Sequence, residues 1–448
     1  MFDLRPRPPW PRRAMLGLVL AIVLSTAFAR PAGAEGPPHD DDLARGIDRA
    51  AVIHEALARN PGLKAAAERV RAMRSMASAE GRLPDPEAMF QIWQVPFAHP
   101  VSFHDSQMIM AGVSQTFPAP GSLGARSEAR GHMASAEEAM LADRARDLVR
   151  DVQHSYADLT EAVTMHHAHV EHRGVAERLL GAARARQSAG GTLDDVAQAE
   201  LALARLDADI ATEAASVTRA KARLNGFLAR PFDAPLADPP AGDPATVATA
   251  PDALVRLASS IRPDLNAANA RADAERSALK SVEREASLPS FTLGASYFAP
   301  TTNMPVNGYG VSASMTLPWV WGGNALKEDA QRAVARASQL DTADAQLHIG
   351  VDVGTAAATA RAAAERLSVL KGGALPAARR ALDLTFGTYA SGRGDLLGVL
   401  RAQQAVVDTE IDIVMARASL DHALADLDWA VGTLLPRTPL DSPPIPAR

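Results

Sequence analysis

Cysteine is absent from all 448 residues. That excludes disulfides, thiolate metal sites, cysteine nucleophiles and an N-terminal lipidated cysteine. Aromatic residues are scarce, at 4%, although 47% of the chain is hydrophobic. The apolar share therefore rests largely on alanine, whose small side chain lets helices approach closely and favours helix-on-helix packing over thick aromatic cores. Charge of one sign is lacking too. A net charge of −6 leaves no basic footprint, so nucleic acid is not an expected partner. Beyond the N-terminus no apolar stretch reaches the ~20 residues of a spanning helix without charges. A mature chain held in a membrane must then use a closed barrel. Catalytic patterns are missing as well: there is no glycine-rich phosphate loop, no His-Glu-x-x-His and no nucleophile elbow. Acidic residues are spread at helical spacing as solvated faces, so neither an enzyme nor a cofactor is expected.

What is present begins with a leader. Arg5, Arg7, Arg12 and Arg13 precede an apolar run from Ala14 to Phe28, and Ala32-Gly33-Ala34 offers the small-x-small pattern of a signal peptidase site. Residues 1–34 are read as a signal peptide and Glu35 as the first mature residue.

The remainder repeats itself. Asn60-Pro61-Gly62-Leu63 opens one helical stretch that ends at Leu83-Pro84, and Arg262-Pro263-Asp264-Leu265 opens another that ends at Leu288-Pro289. Val113-Ser114-Gln115-Thr116-Phe117-Pro118 is matched by Ser314-Met315-Thr316-Leu317-Pro318, and Ser188-Ala189-Gly190-Gly191 by Ala390-Ser391-Gly392-Arg393. Paired landmarks stay about 200 residues apart, which reads as an internal duplication. The first repeat spans 35–230, with a β-hairpin over 87–117 and long helical arms over 122–229. A proline-rich linker covers 231–250. The second repeat spans 251–435, with a hairpin over 291–319 and arms over 324–434, and a tail covers 436–448.

Period-two alternation carries the hairpins. Phe291, Leu293, Ala295 and Tyr297 alternate with Thr292, Gly294 and Ser296, and Tyr309, Val311, Ala313, Met315, Leu317 and Trp319 alternate with small residues. The runs approach the ~9–11 residues of a tilted membrane strand, and their terminal aromatics suit an interfacial girdle. A soluble hairpin with one face on a helix has the same pattern. The arms are too long for a compact globule. The stretch from Leu123 to Gln187 alone would reach roughly 95–100 Å as one helix, so it needs coiled-coil partners along its length. Pro376 is expected to kink or break the second arm.

Four strands per chain cannot close a barrel, since small barrels need about eight, and open edges are not tolerated in lipid. Copies must then complete one wall, and three would supply twelve strands. The overall expectation is a mainly α chain with a small β part: long antiparallel coiled-coil helices plus four transmembrane β-strands per protomer in a trimeric twelve-stranded barrel.

The paired openings, the hairpins, the arms and the phrase Tyr389-Ala390-Ser391-Gly392 followed by Val399-Leu400-Arg401-Ala402-Gln403 together resemble the TolC-type outer membrane efflux family, over roughly residues 45 to 435. Gly112-Val113-Ser114-Gln115-Thr116-Phe117-Pro118-Ala119-Pro120-Gly121 looks most like its heavy-metal-efflux branch. The resemblance implies a homotrimeric duct in outer membrane lipid with a periplasmic helical tunnel, docked on a periplasmic adaptor and an inner-membrane pump of the RND type. It also implies that the turns at Gly190, Gly191, Gly392, Arg393 and Gly394 form the periplasmic tip and the adaptor-docking surface. The turns have a purely structural reason as well, because glycine permits tight reversals. Asp194, Asp195 and Asp395 beside them are either helix caps or an acidic ring that attracts cations. Asp195 aligns with an acidic constriction position of some family members, whereas Gly398 and Arg401 depart from the acidic pattern in the second half. His166, His169 and His172, with His154 and His167 nearby, are read as a solvated face, with metal contact during transit as the sharper alternative. His99 and His104, beside Met108 and Met110, are weaker candidates of the same kind. The competing function is a periplasmic coiled-coil adaptor or scaffold, which needs no aromatic-ended strands. A third is a periplasmic metal-binding protein.

Overall fold

The structure is a computed structural model that describes residues 40–93, 95, 97, 98, 100, 106–188, 190, 192–240, 242–300 and 307–440. The leader, His99, His104, Gly191 and the end of the tail lie outside the described residues. The chain forms two compact units. One comprises the chain up to Asn60, Asp151–Asp243 and Leu367–Asp421; the other comprises Pro61–Arg150, Pro244–Arg366 and the chain from His422 onward.

In chain order the helices are α1 (Asp40–Arg45), α2 (Arg49–Arg59), α3 (Pro61–Glu80), α4 (Ser122–Ser188), α5 (Leu193–Phe227), α6 (Pro251–Ile261), α7 (Pro263–Ser287), α8 (Gly323–Val369), α9 (Leu375–Ala390) and α10 (Leu396–Val431). The strands are β1 (Glu87–Trp93), β2 (Met108–Phe117), β3 (Ala245–Thr246), β4 (Phe291–Pro300), β5 (Gly308–Met315) and β6 (Thr438–Pro439). The protein is thus mostly helical with a small sheet. None of the helices among the described residues is long and apolar enough to cross a membrane. Three prolines open helices at positions where a missing N–H costs nothing: Pro61 in α3, Pro251 in α6 and Pro263 in α7.

Just ahead of Pro376 the α-helix of the second arm is interrupted, although the chain stays helical. Between α8 and α9 the chain makes a π-helical turn over Leu370–Ala374, in which the Leu375 N–H bonds the Leu370 carbonyl five residues back. The wider turn, built on Lys371-Gly372-Gly373, makes room for the pyrrolidine ring and leaves Pro376 near the start of the next helix, where it has no donor to lose.

The main sheet has strand order β1-β2-β4-β5, antiparallel throughout. The two hairpins join through β2 and β4, where Met108 pairs with Pro300 and Phe117 with Phe291. The last strand stops at Met315, short of Trp319. Pro318, which lacks a ladder donor, and the positive φ of Gly322 (67°) turn the chain into α8. Beyond the sheet, β3 and β6 pair across two residues, so the linker region carries a short bridge.

Candidate functional site

The sheet has two unlike faces. Cross-strand register places Val113, Ala295 and Val311 in one row, and Phe90, Ala111, Tyr297 and Tyr309 in the next. These rows are open: Val311 is 80% exposed and Tyr309 86%. An apolar surface so continuous requires a covering partner, whether protein or lipid. The opposite face is crowded and polar. A Cβ on Gly112 would come within 2.6 Å of Ser296 Oγ, one on Gly294 within 2.6 Å of Ser312 Oγ, and one on Gly310 within 2.7 Å of the Phe298 ring. Thr116 and Thr292 share a hydroxyl–hydroxyl hydrogen bond of 2.9 Å there. Glycine thus stands where a neighbouring side chain on this face already fills the space a Cβ would take. The described edges of β1 and β5 have no strand beside them.

Both glycine turns belong to the unit that contains Asp151–Asp243 and Leu367–Asp421. After α4, Gly190 adopts φ 98° and its N–H bonds the Gln187 carbonyl at 3.0 Å. After α9, Gly392 adopts φ 75° and its N–H bonds Tyr389 O at 3.0 Å. The Arg393 and Gly394 N–H groups both reach Thr388 O, at 3.1 and 3.0 Å. Gly394 packs so tightly that an added Cβ would lie 3.0 Å from Thr388 Oγ1 and from the Tyr389 nitrogen. The second turn is therefore closed by its own backbone, and Gly392 and Gly394 are required by geometry.

The two turns are brought together by residues that the sequence reading did not single out for a role. Arg186, at the end of α4, lays its guanidinium over the Tyr389 ring, 4.6 Å from the centroid, and donates from Nη1 to the Gly394 carbonyl at 3.3 Å. Tyr389 is buried in a cluster with Leu179, Leu180, Ala183, Val196, Ala199, Leu396 and Val399. The cluster thus fixes the ends of α4, α5, α9 and α10 against one another.

The acids divide by role. Asp395 precedes α10 and its Oδ1 accepts the Gly398 N–H at 3.3 Å, an N-cap contact. Gly398 suits that cap, because a Cβ there would press to 2.9 Å from the same carboxylate oxygen. Asp194 and Asp195 lie inside the first turn of α5, where the helix dipole favours negative charge. Asp194 accepts Gln198 Nε2 at 2.7 Å. Arg401 is exposed on α10.

The histidines do not form a wet face. His169 and His172 are buried, each with 6% exposure. The reason is a heptad seam along α4: Ala162, Met165, His169, His172, Ala176, Leu179 and Ala183 recur at alternating steps of three and four, and all are buried. Only His167 of the group is exposed. Among the described residues no group of three or more His, Asp or Glu could hold a metal ion.

A further polar cluster lies in the other unit. Three guanidiniums surround the Trp429 indole, with Arg146, Arg150 and Arg262 at 4.6, 4.9 and 5.6 Å from the ring centroid. Arg262 donates to both oxygens of Asp264 (3.0 and 2.5 Å), to Asp352 (2.8 Å) and to the Ala430 carbonyl (3.2 Å). Trp429 Nε1 donates to Asp147 at 2.7 Å. The Arg-Pro-Asp phrase that opens the second repeat is thus an ion-pair anchor at the start of α7.

Comparison with known proteins agrees with this geometry. Residues 254–433 match the family described as outer membrane efflux protein. Among curated proteins none matches the chain in sequence. Among solved structures the chain is similar to CusC, in a study of folding and transmembrane channel formation (17% identity, 95% of this chain and 99% of that one, TM-score 0.73). It is also similar to the outer membrane protein VceC of Vibrio cholerae (18%, 88% and 99%, TM-score 0.71). The MtrE outer membrane channel of Neisseria gonorrhoeae, in its open state, is similar as well (22%, 86% and 89%, TM-score 0.64). Residues 254–433 thus match the outer membrane efflux protein family in sequence, and nearly the whole length shares its fold with these three proteins.

Proposed function

We propose that the chain is the passive outer-membrane duct of a tripartite efflux system rather than a catalyst. Its sheet would be one third of a closed wall in outer membrane lipid. Its glycine turns (Gly190, Gly191, Gly392, Arg393 and Gly394) would be the periplasmic tips that dock on an adaptor, and an inner-membrane pump would supply the energy. Export would use the leader over residues 1–34. Asp195, of the three acids, is the one proposed to face the aperture, since Asp395 is engaged as a cap and Asp194 by Gln198. Cargo would be set by the pump, with heavy-metal cations among the candidates.

The observation that carries this reading is the four-stranded sheet with one exposed apolar face, one crowded polar face and open edges. Lipid covers such an apolar face at no cost, while unpaired edges in lipid must be closed by another copy. Helix α8 supports the same conclusion. Leu340 and Leu347, 71% and 73% exposed, lie one heptad apart with Leu326 and Val351 in the same seam. That seam needs a helical partner, and none of the described residues covers it.

Two linked measurements test the proposal. Protein expressed from the full gene should remain with outer membranes after an alkaline wash, and the purified protein should add conducting pores to a planar lipid bilayer. Release into the wash together with an electrically silent bilayer would favour the coiled-coil adaptor instead.

A further inference from the structure

Helix α4 places His172 on the seam that faces α10, and the groups opposite are polar. On α10 the seam positions Leu396, Val399, Gln403 and Val406 are buried, and Glu410 continues the same spacing. His172 Nε2 lies 2.9 Å from Glu410 Oε2, off the axis of a good hydrogen bond. The other carboxylate oxygen, Oε1, accepts Arg379 Nη2 from α9 at 2.8 Å. On the far side of the ring, Nδ1 lies 3.4 Å from Gln403 Nε2, an amide nitrogen that can only donate. With the amide placed this way Nδ1 acts as the acceptor, which corresponds to the neutral Nε2–H tautomer. Gln403 Oε1 is buried and has no hydrogen-bond partner.

We propose that this layer of His172, Gln403 and Glu410 is a proton-binding latch between α4, α9 and α10. The neutral ring holds the described packing, and a proton at Nδ1 loosens it. The added proton would set Nδ1–H against the Gln403 amide hydrogens, donor against donor, until the amide turns its free Oε1 inward. It would also place a cation in a buried seam. The charged groups that face the ring are Glu410 from α10, Arg379 from α9 through Glu410, and His169 and Glu171 on its own helix. Arg379 already occupies Glu410, which limits how far that carboxylate can compensate the imidazolium, and His169 opposes it. Burial pushes the His172 pKa below its ordinary 6.5, against the pull of Glu410. A histidine lowered in the folded state binds fewer protons than when unfolded. Its packing is therefore fully stable above pH 6.5 and loses stability as pH falls below it.

The test uses the full chain in detergent micelles and does not depend on the duct reading, because it is read in the helices themselves. Histidine C2–H exchange should give His172 a midpoint below 6.5. Amide exchange across residues 399–410, corrected for intrinsic rates, should quicken roughly fivefold from about pH 7.5 to about pH 5.5. The change His172→Gln should remove that response, whereas His132→Gln should leave it intact. A His172 midpoint at or above the ordinary value, an unchanged exchange rate in the wild type, or a response that survives His172→Gln would each overturn the proposal. The midpoint is measured on the wild type, so a variant that fails to fold does not protect the idea.

Discussion

Replacing Arg262 with alanine is expected to destabilise its unit by about 3–5 kcal/mol, the range for removing one partner from a buried charge cluster. The side chain is only 4% exposed and satisfies Asp264, Asp352 and a backbone carbonyl while lying beside Trp429. Its loss leaves two partly buried carboxylates facing each other without the fork that joins them. Arg262→Lys should recover less than half of the loss, because an ammonium neither pairs bidentately with Asp264 nor stacks on the indole. The effect depends on pH with a definite sign. Burial alone would raise the Asp264 pKa, but the Arg262 hydrogen bonds and the charges of Arg146 and Arg262 outweigh it and hold the value below 3.8. A depressed carboxylate stabilises the fold above its unfolded value and loses that contribution as pH falls through the folded one. The gap between wild type and Arg262→Ala, measured by chemical unfolding in detergent, should be full near neutrality and should shrink below pH 3.8.

A charge in the exposed sheet rows should be as damaging through a different mechanism. On the duct reading Val311 faces hydrocarbon, so Val311→Arg should cost about 2–4 kcal/mol per protomer if the residue lies near the bilayer midplane, less toward an interface. The readout is the fraction of protein recovered in outer membranes, which should fall severalfold. Ser314→Lys, on the polar face, should assemble and instead alter ion selectivity. Normal recovery of Val311→Arg would mean that the apolar rows face something other than lipid.

How much of this was legible in the sequence depended on whether the signal was local. Alternation from Phe291 to Tyr297 announced a two-faced strand because a strand's faces repeat every second residue, and β4 spans Phe291–Pro300. Glycine at 190 and 392 announced sharp turns, and both residues adopt positive φ. Pairings between the halves were not legible. Nothing local says that β2 lies against β4, or that Arg186 reaches Tyr389 across more than two hundred positions. The histidines differ from their local reading for another reason. His166, His169 and His172 read locally as one cluster on a solvated helix, whereas the longer run from Ala162 to Ala183 shows a seam in which His169 and His172 replace apolar residues. Polar side chains at seam positions fix register and partner choice at some cost in stability. Pro376 announces that the α-helix is interrupted there, whereas the form of the interruption, a π-turn over the glycine pair just before it, is not legible from the proline alone.

The central claim is that one chain's sheet is completed by other copies. Because the protein has no cysteine of its own, the claim can be tested by crosslinking in intact membranes. Phe90→Cys on β1 would be combined in turn with single cysteine substitutions along β5. One register of pairs should give a covalent ladder that ends at three subunits and goes no further. Only intramolecular product or monomer across the whole series would contradict the account.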